Sequence, residues 1–328
     1  MIESIFASLS TGIIYGIGAV GLGLIYRYLK FPDFTTIISF IAGAAIMAVM
    51  SKINIALALF LSIIIGGMLG TITYFQIRCL KVNNILAGII TNIGAMSLVF
   101  LFTDNQAVVN TAPEISSIFD KLLAIKFSWW NIIKLGSIGF FLCWLISNIF
   151  KTRYGLYILG LLGTENYIAY RHHNKEKARF ILHTLGNSII SFSGALLTIQ
   201  NTSFNVHGTP DFLYIALSGY VLSSFLIQLS NSFNKNYLDR DNKITGNVFV
   251  KMYLSFREIL SKNDEEPVKI RSFLFLIIVG TTLVNAIFQY IDMNHGEDNR
   301  VSYFYKAFIF LSVLFLGNIE KKNSNKQI

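Results

Sequence analysis

The feature that most constrains this chain is a succession of long apolar stretches separated by short polar connections. An α-helix rises 1.5 Å per residue, so about 20 apolar residues carry it across a hydrocarbon layer roughly 30 Å thick. Several stretches reach that length. Composition agrees, with 53% of 328 residues hydrophobic and 14% charged, whereas soluble domains carry about a quarter charged residues. The pattern predicts nine membrane spans, at about 9–26, 34–50, 53–77, 85–102, 130–149, 181–199, 212–229, 273–290 and 303–317. The expected fold class is therefore all-α: a polytopic membrane helix bundle, with residues 1–328 forming one domain.

The formal charge of +9 has a topological reading. Lys and Arg near span ends stay on the cytoplasmic side. Alternate connections at 27–33, 78–84, 150–180, 230–272 and 318–328 hold 21 of the 27 basic residues; the other set holds 6. With nine spans this places the N-terminus outside and the C-terminus in the cytoplasm. The N-terminal "MIESIF" lacks the basic region and cleavage site of a secretory signal, so insertion is expected to rest on an uncleaved first span. No basic cluster is interleaved with aromatics, and nucleic acid is not an expected partner. The outer 103–129 connection carries Asp104, Glu114 and Asp120 and is expected to include a short surface helix. Within 231–272, Phe249, Met252, Phe256, Ile259 and Leu260 recur at helical spacing opposite Lys251, Arg257 and Lys262. That suits a helix on the anionic inner leaflet, with a partner-binding helix as the alternative.

"GIIYGIGAVGLGLIYRYL" at 12–29 spells G-x-G-x-x-G with Gly16, Gly18 and Gly21, followed by Gly23. A dinucleotide loop needs a buried strand before it and an acidic residue about 20 positions on. Apolar residues flank these glycines instead, so the four are read as a helix-packing surface in the first span. Cys79 and Cys143 form no C-x-x-C pair and are read as packing residues. Walker A, H-E-x-x-H and G-x-S-x-G sequences are absent, and no His or Cys spacing suggests a metal, so no catalysis is expected. His172 and His173 read as solvated loop residues, while His183, His207 and His295 stand alone and receive no role. Polar groups at membrane depth normally face protein or a water-filled path. The candidates are Asp33, Thr35, Thr36, Thr91, Asn92, Ser188, Ser191, Ser193 and Gln200. Asp33 after Pro32 also reads as a helix N-cap, worth about 1 kcal/mol, and Thr91 and Asn92 as interhelical hydrogen-bond partners.

Several words carry a family resemblance. "FPDFTTIISFIAGAA" at 31–45 resembles the F-P-D-L-T-x-x-G-S-F-x-x-G-A-A of permeases of the branched-chain amino-acid ABC importer type. "LAGIIT" at 86–91 and "SFSGALLTIQNTSFNVHG" at 191–208 are similar to words of the tryptophan/tyrosine transport permease subgroup, and "GTENYIA" at 163–169 to the family's ATPase-contacting loop. The resemblance covers about 10–229 and, more weakly, the last two spans. It implies a permease subunit in a bacterial inner membrane, surrounded by lipid, paired as a homodimer or with a related permease. Its other partners would be a cytoplasmic ABC ATPase, which binds the ATP, and an external solute-binding protein; this chain itself would bind no cofactor. Gly163, Glu165, Asn166, Ala169 and Arg171 in the 150–180 coupling loop would meet the ATPase. Phe31, Asp33, Thr35, Thr91, Asn92, Gln200 and Asn201 would lie along or near the solute path.

The chain also departs from the subgroup. Ile37 and Ile38 stand where it has an acidic residue and glycine, Ser223 and Ser224 where it has Gly-Glu, and Leu159 and Gly160 replace an Arg-Ala. The cytoplasmic stretch 231–272 resembles an insertion. A carboxylate at low dielectric can pair with an ammonium group, so the losses bear on cargo. The implied cargo is a small amino acid or related metabolite. A sugar or nucleoside on the same scaffold is the alternative, and a non-transporting membrane scaffold the reading from another class. The topology is checked by labelling engineered cysteines in intact cells: a cysteine near Asn110 is expected to react from outside and one near Asn166 to be shielded.

Overall fold

The computed structural model describes residues 2–29, 33–106, 108–110, 129–153, 155, 175–205, 211–238, 266–295 and 306. These residues form eight α-helices and two short strands: α1 (Ile2–Leu29), α2 (Thr35–Met50), α3 (Ile55–Cys79), α4 (Asn84–Phe102), β1 (Val108–Asn110), α5 (Trp129–Lys151), α6 (Lys175–Asn201), β2 (Ser203–Asn205), α7 (Asp211–Leu238) and α8 (Glu266–His295). The chain is a polytopic helix bundle. Six helices carry a stretch long and apolar enough to cross a membrane. Helix α2 and the Phe212–Ile227 stretch of α7 are apolar but shorter. The ninth predicted span, 303–317, lies outside the described residues except for Lys306, whose Nζ sits 2.8 Å from Asp292 Oδ2.

Successive helices run in opposite directions. Gly16 meets Ile278 and Gly12 meets Thr282, so α1 and α8 are antiparallel; Gly70 and Gly66 of α3 meet His183 and Asn187 of α6 in reversed order. Helix α2 runs parallel to α6, since Ser39 bonds Asn187 and Thr198 bonds the Ala44 carbonyl. The connections after α1, α3, α5 and α7, where basic residues concentrate, therefore share one end of the bundle. Arg27, stacked 4.4 Å from the Phe273 ring centroid at the start of α8, marks that basic end. At the other, β1 pairs antiparallel with β2 through Val109 and Phe204, both buried. The expected outer-loop helix would fall in 111–128, outside the described residues; what is described of that loop is a turn at 103–106 and the strand.

Helix ends extend past the predicted spans. Helix α6 begins at Lys175, ahead of residue 181, and α8 at Glu266, ahead of residue 273. Hydropathy marks the lipid-depth part of a helix, and charged turns such as Lys175–Arg179 continue it beyond the hydrocarbon.

Sixteen residues make α2 about 24 Å long. It is enclosed by other helices, and 13 of its 16 residues are buried. A helix apolar all round belongs in an interior. Helix α3 is split instead: Ser62, Gly66, Gly70 and Thr73 face inward, while Leu57, Phe60, Ile64, Met68, Ile72 and Phe75 form an exposed apolar stripe. Cys143 is packed in the core as expected, but Cys79, at the end of α3, is exposed. It lies where α3 has already passed its last packed turn, so the packing reading of Cys79 is corrected.

Small residues set the closeness of the packing. A methyl group on Gly16 would come within 2.9 Å of Ile278 Cα, on Gly18 within 2.7 Å of Phe212, on Gly21 within 2.5 Å of the Gly186 carbonyl and on Gly23 within 2.7 Å of Ile277. Three different helices thus approach α1 at those glycines. The tightest place is Gly43, where a Cβ would overlap the Ser191 backbone carbonyl; around Gly94 nothing lies within 4 Å. Gly43→Ala is expected to destabilise the detergent-solubilised protein by about 2–3 kcal/mol. Gly94→Ala should change stability by less than about 1 kcal/mol. Thermal melts of the two variants against the parent check the contrast.

Candidate functional site

The largest concentration of buried polar side chains lies at the basic end, where α2, α3, α4 and α6 converge. It begins at Asp33, just before α2. The helix's N-cap is Phe34, which makes no side-chain cap bond. Asp33 does that work from one residue earlier, with Thr35 N–H donating to its Oδ1 at 2.9 Å. Its second oxygen accepts from Asn187 Nδ2 at 3.2 Å and faces His183 Nδ1 at 3.3 Å. With Asp33 ionised the carboxylate only accepts, and Nδ1 is then the ring nitrogen that donates. Asp33 and His183 are both buried. Across the contact, Gly88 of α4 leaves room for the Asp33 carboxylate, since a Cβ there would stand 3.2 Å from Oδ1.

Asn187 uses its whole amide. It donates to Asp33 and to the His183 carbonyl at 3.0 Å, and accepts from the Ser39 hydroxyl at 2.7 Å. A second chain runs through hydroxyls. Thr35 lies 2.7 Å from Thr73, Thr73 donates to Thr91 at 3.0 Å, and Thr91 donates to Gln76 Oε1 at 3.3 Å. If Thr35 donates first, each hydroxyl gives its proton to the next and the amide oxygen ends the series. Three helices are tied by three side chains of one type. At the edge, Tyr74 donates to Glu176 Oε2 at 3.3 Å and accepts from Arg78 at 3.1 Å.

Of the candidate path residues, Asp33, Thr35 and Thr91 meet in this network. Asn92, half-buried, lies about 100° around α4 from Thr91 and is not part of it. Gln200 is at the opposite end, donating to Ser10 at 3.1 Å and Thr11 at 3.2 Å of α1, with its Oε1 buried and, among the described residues, without a hydrogen-bond partner. Asn201 is exposed, and its carbonyl accepts from Thr202, whose φ of 55° turns the chain into β2. Phe31 lies outside the described residues, as do Gly163, Glu165, Asn166, Ala169, Arg171 and the 249–262 segment. Ile38 is fully buried, and the Ser223 and Ser224 hydroxyls bond carbonyls of their own helix.

His183 and Asn187 received no role from the sequence. Their signal was present in the spacing: His183, Asn187 and Ser191 recur every four residues and so share one face of the helix. Among the described residues no three His, Cys, Asp or Glu side chains are grouped to hold a metal.

A bundle of apolar helices with its polar groups turned inward and its basic connections at one end defines a multi-pass membrane protein. Residues 4–256 match the family of permease components of branched-chain amino acid transport systems, and the chain belongs to that family. The chain is also similar to an uncharacterized protein of Rickettsia prowazekii (strain Madrid E), 25% identical over 179 residues. That match takes in 54% of this chain and 61% of the relative, less than two thirds of its length. No solved structure matches the chain significantly.

Breaking the hydroxyl series tests its worth. Thr73→Val keeps the shape, strands the Thr35 hydroxyl and takes from Thr91 one of its two bonds, with an expected cost of about 1–3 kcal/mol. Ser224→Ala removes a hydroxyl bonded within its own helix and should stay within about 0.5 kcal/mol. Denaturation midpoints of the two variants provide the comparison.

Proposed function

We propose that this chain is the membrane-spanning subunit of an ATP-driven importer in a bacterial inner membrane. It moves a small amino acid or related metabolite by alternating access between itself and a second copy or a related permease. The observation that carries this reading is the family match over 4–256. The helix bundle supports it by gathering the basic connections at one end. That end faces the cytoplasm by the distribution of Lys and Arg. There the 150–180 connection, with Gly163, Glu165, Asn166, Ala169 and Arg171, receives the ATPase. The opposite end, with Gln200, Asn201 and the β1–β2 pair, faces the external solute-binding protein.

Phe31, Asn92, Gln200 and Asn201 stand along the solute path, and Asp33, Thr35 and Thr91 beside it as the buried support of its walls. The chain supplies no chemistry of its own: ATP is bound and hydrolysed by the partner, and this subunit converts that event into a change of access. The 231–272 segment is a cytoplasmic insertion that adds basic surface near the same face.

A photo-crosslinker at position 166 tests the docking. The ATPase subunit from the same cell is expected to be captured there and not from position 110, and purification of tagged permease should bring it down. Proteoliposomes holding permease, ATPase and binding protein should accumulate a labelled amino acid only with ATP inside the nucleotide-facing compartment. Capture from position 110 alone would reverse the orientation, and no capture from either site would remove the coupling assignment.

A further inference from the structure

Asp33 and His183 are 150 residues apart, yet they meet with side-chain exposures of 0% and 2%. A buried acid–base pair gains little over apolar packing because both partners lose hydration, while removing one partner is costly. What such a pair supplies is a fixed relation between the elements that carry it. Here those elements are the start of α2 and the third and fourth turns of α6. Three donors hold the Asp33 carboxylate, and two of them, His183 and Asn187, lie one turn apart on α6. Among the described residues, titratable groups near the pair lie toward the basic end: Tyr74 of α3, whose ring centroid is 6.4 Å from that of His183, and Arg78 and Glu176 bonded to Tyr74 beyond it. Helix α4 approaches the carboxylate at Gly88.

Helix α6 is the first described element after 156–174, starting at Lys175. Its carbonyls at His183 and Asn187 lie against Gly70 and Gly66, so α6 has no slack against α3. A displacement of the preceding connection enters α6 first. Farther along, α6 also meets α2 at Gly43 and Gly194; at the start of α2 the displacement passes through side chains that grip both helices, and both oxygens of Asp33 are engaged in that grip.

We propose that Asp33, His183 and Asn187 are positioning residues, a clasp that makes the start of α2 follow the N-terminal half of α6 when the 150–180 connection moves. The clasp holds helix against helix and leaves no carboxylate oxygen for solute. It rests on the reading of that connection as the ATPase-facing one.

The test uses full-length permease with its partner ATPase in nanodiscs, followed by hydrogen exchange with and without ATP. In the parent, ATP is expected to change exchange by about threefold or more both at 176–182 and at 35–40. In His183→Gln the response at 176–182 persists and that at 35–40 falls below about 1.5-fold. Asp33→Asn, nearly isosteric, should behave the same way and serves if the glutamine variant does not fold. On the permease alone, each variant should lower the melting temperature by about 5 °C or more and the double variant by no more than the larger single. An undiminished response at 35–40 in both variants, or additive melting shifts, overturns the clasp while leaving the importer reading intact. If ATP alters neither segment in the parent, the importer reading fails and the clasp's role falls with it.

Discussion

Everything in this bundle depends on how closely the backbone of α6 can approach its neighbours. Lipid chains are as apolar as leucine, so no hydrophobic force drives one helix against another inside a membrane. Packing contacts and hydrogen bonds must do it. Ser62, Gly66 and Gly70 repeat every four residues on α3 and meet Ser191, Asn187 and His183, which repeat every four on α6. The Ser191 hydroxyl donates to the Ser62 carbonyl at 2.6 Å, and that of Ser193 to the Ile14 carbonyl at 2.7 Å. Gly43 and Gly194 do the same for α2, Gly21 and Gly186 for α1. One helix is thereby fastened to three others at backbone range.

That closeness makes the polar network at the basic end possible. A carboxylate away from water costs several kcal/mol unless its lone pairs are filled, on the order seen for other buried ions. Asp33 is satisfied only because α6 comes near enough to place an imidazole and an amide against one oxygen, while its own helix start supplies the other. The hydroxyl series Thr35–Thr73–Thr91 is likewise a matter of distance between α2, α3 and α4. A polar network with each member paired rigidifies the elements it joins. These four helices therefore form one block at the end where the basic loops gather. On the far side of the molecule, α1, α5, α7 and α8 share an apolar core built around Ile14, Ile17, Leu274 and Ile277.

Much of this was legible in the chain itself. Lipid demands an unbroken apolar run from each spanning helix, so hydropathy located the eight helices described, although it placed the starts of α6 and α8 late. Charged turns beyond the hydrocarbon carry no such mark. The resemblance in the span-two and span-six words pointed to the permease family, which the match over 4–256 supports at the level of the family. Asp33, Thr35 and Thr91 stood out because polar groups at membrane depth are rare. His183 did not, since a lone histidine in the sequence has no visible partner 150 residues away. The Cys79 expectation failed for a related reason: an apolar context does not say which face of a helix is covered.

The sequence by itself determined that the chain crosses lipid repeatedly, which loops carry the positive charge and which family the chain resembles. These are one-dimensional properties, set by the run length and composition that a bilayer and its surface potential impose. Only the tertiary structure decided that α2 is enclosed while α3 keeps an open apolar stripe, because the two are equally greasy and differ only in what surrounds them. It also decided that Asp33 is held by His183 and Asn187. That pairing exists because glycines and serines on three helices let α6 come within hydrogen-bonding reach, a consequence of distance in space that no spacing along the chain encodes.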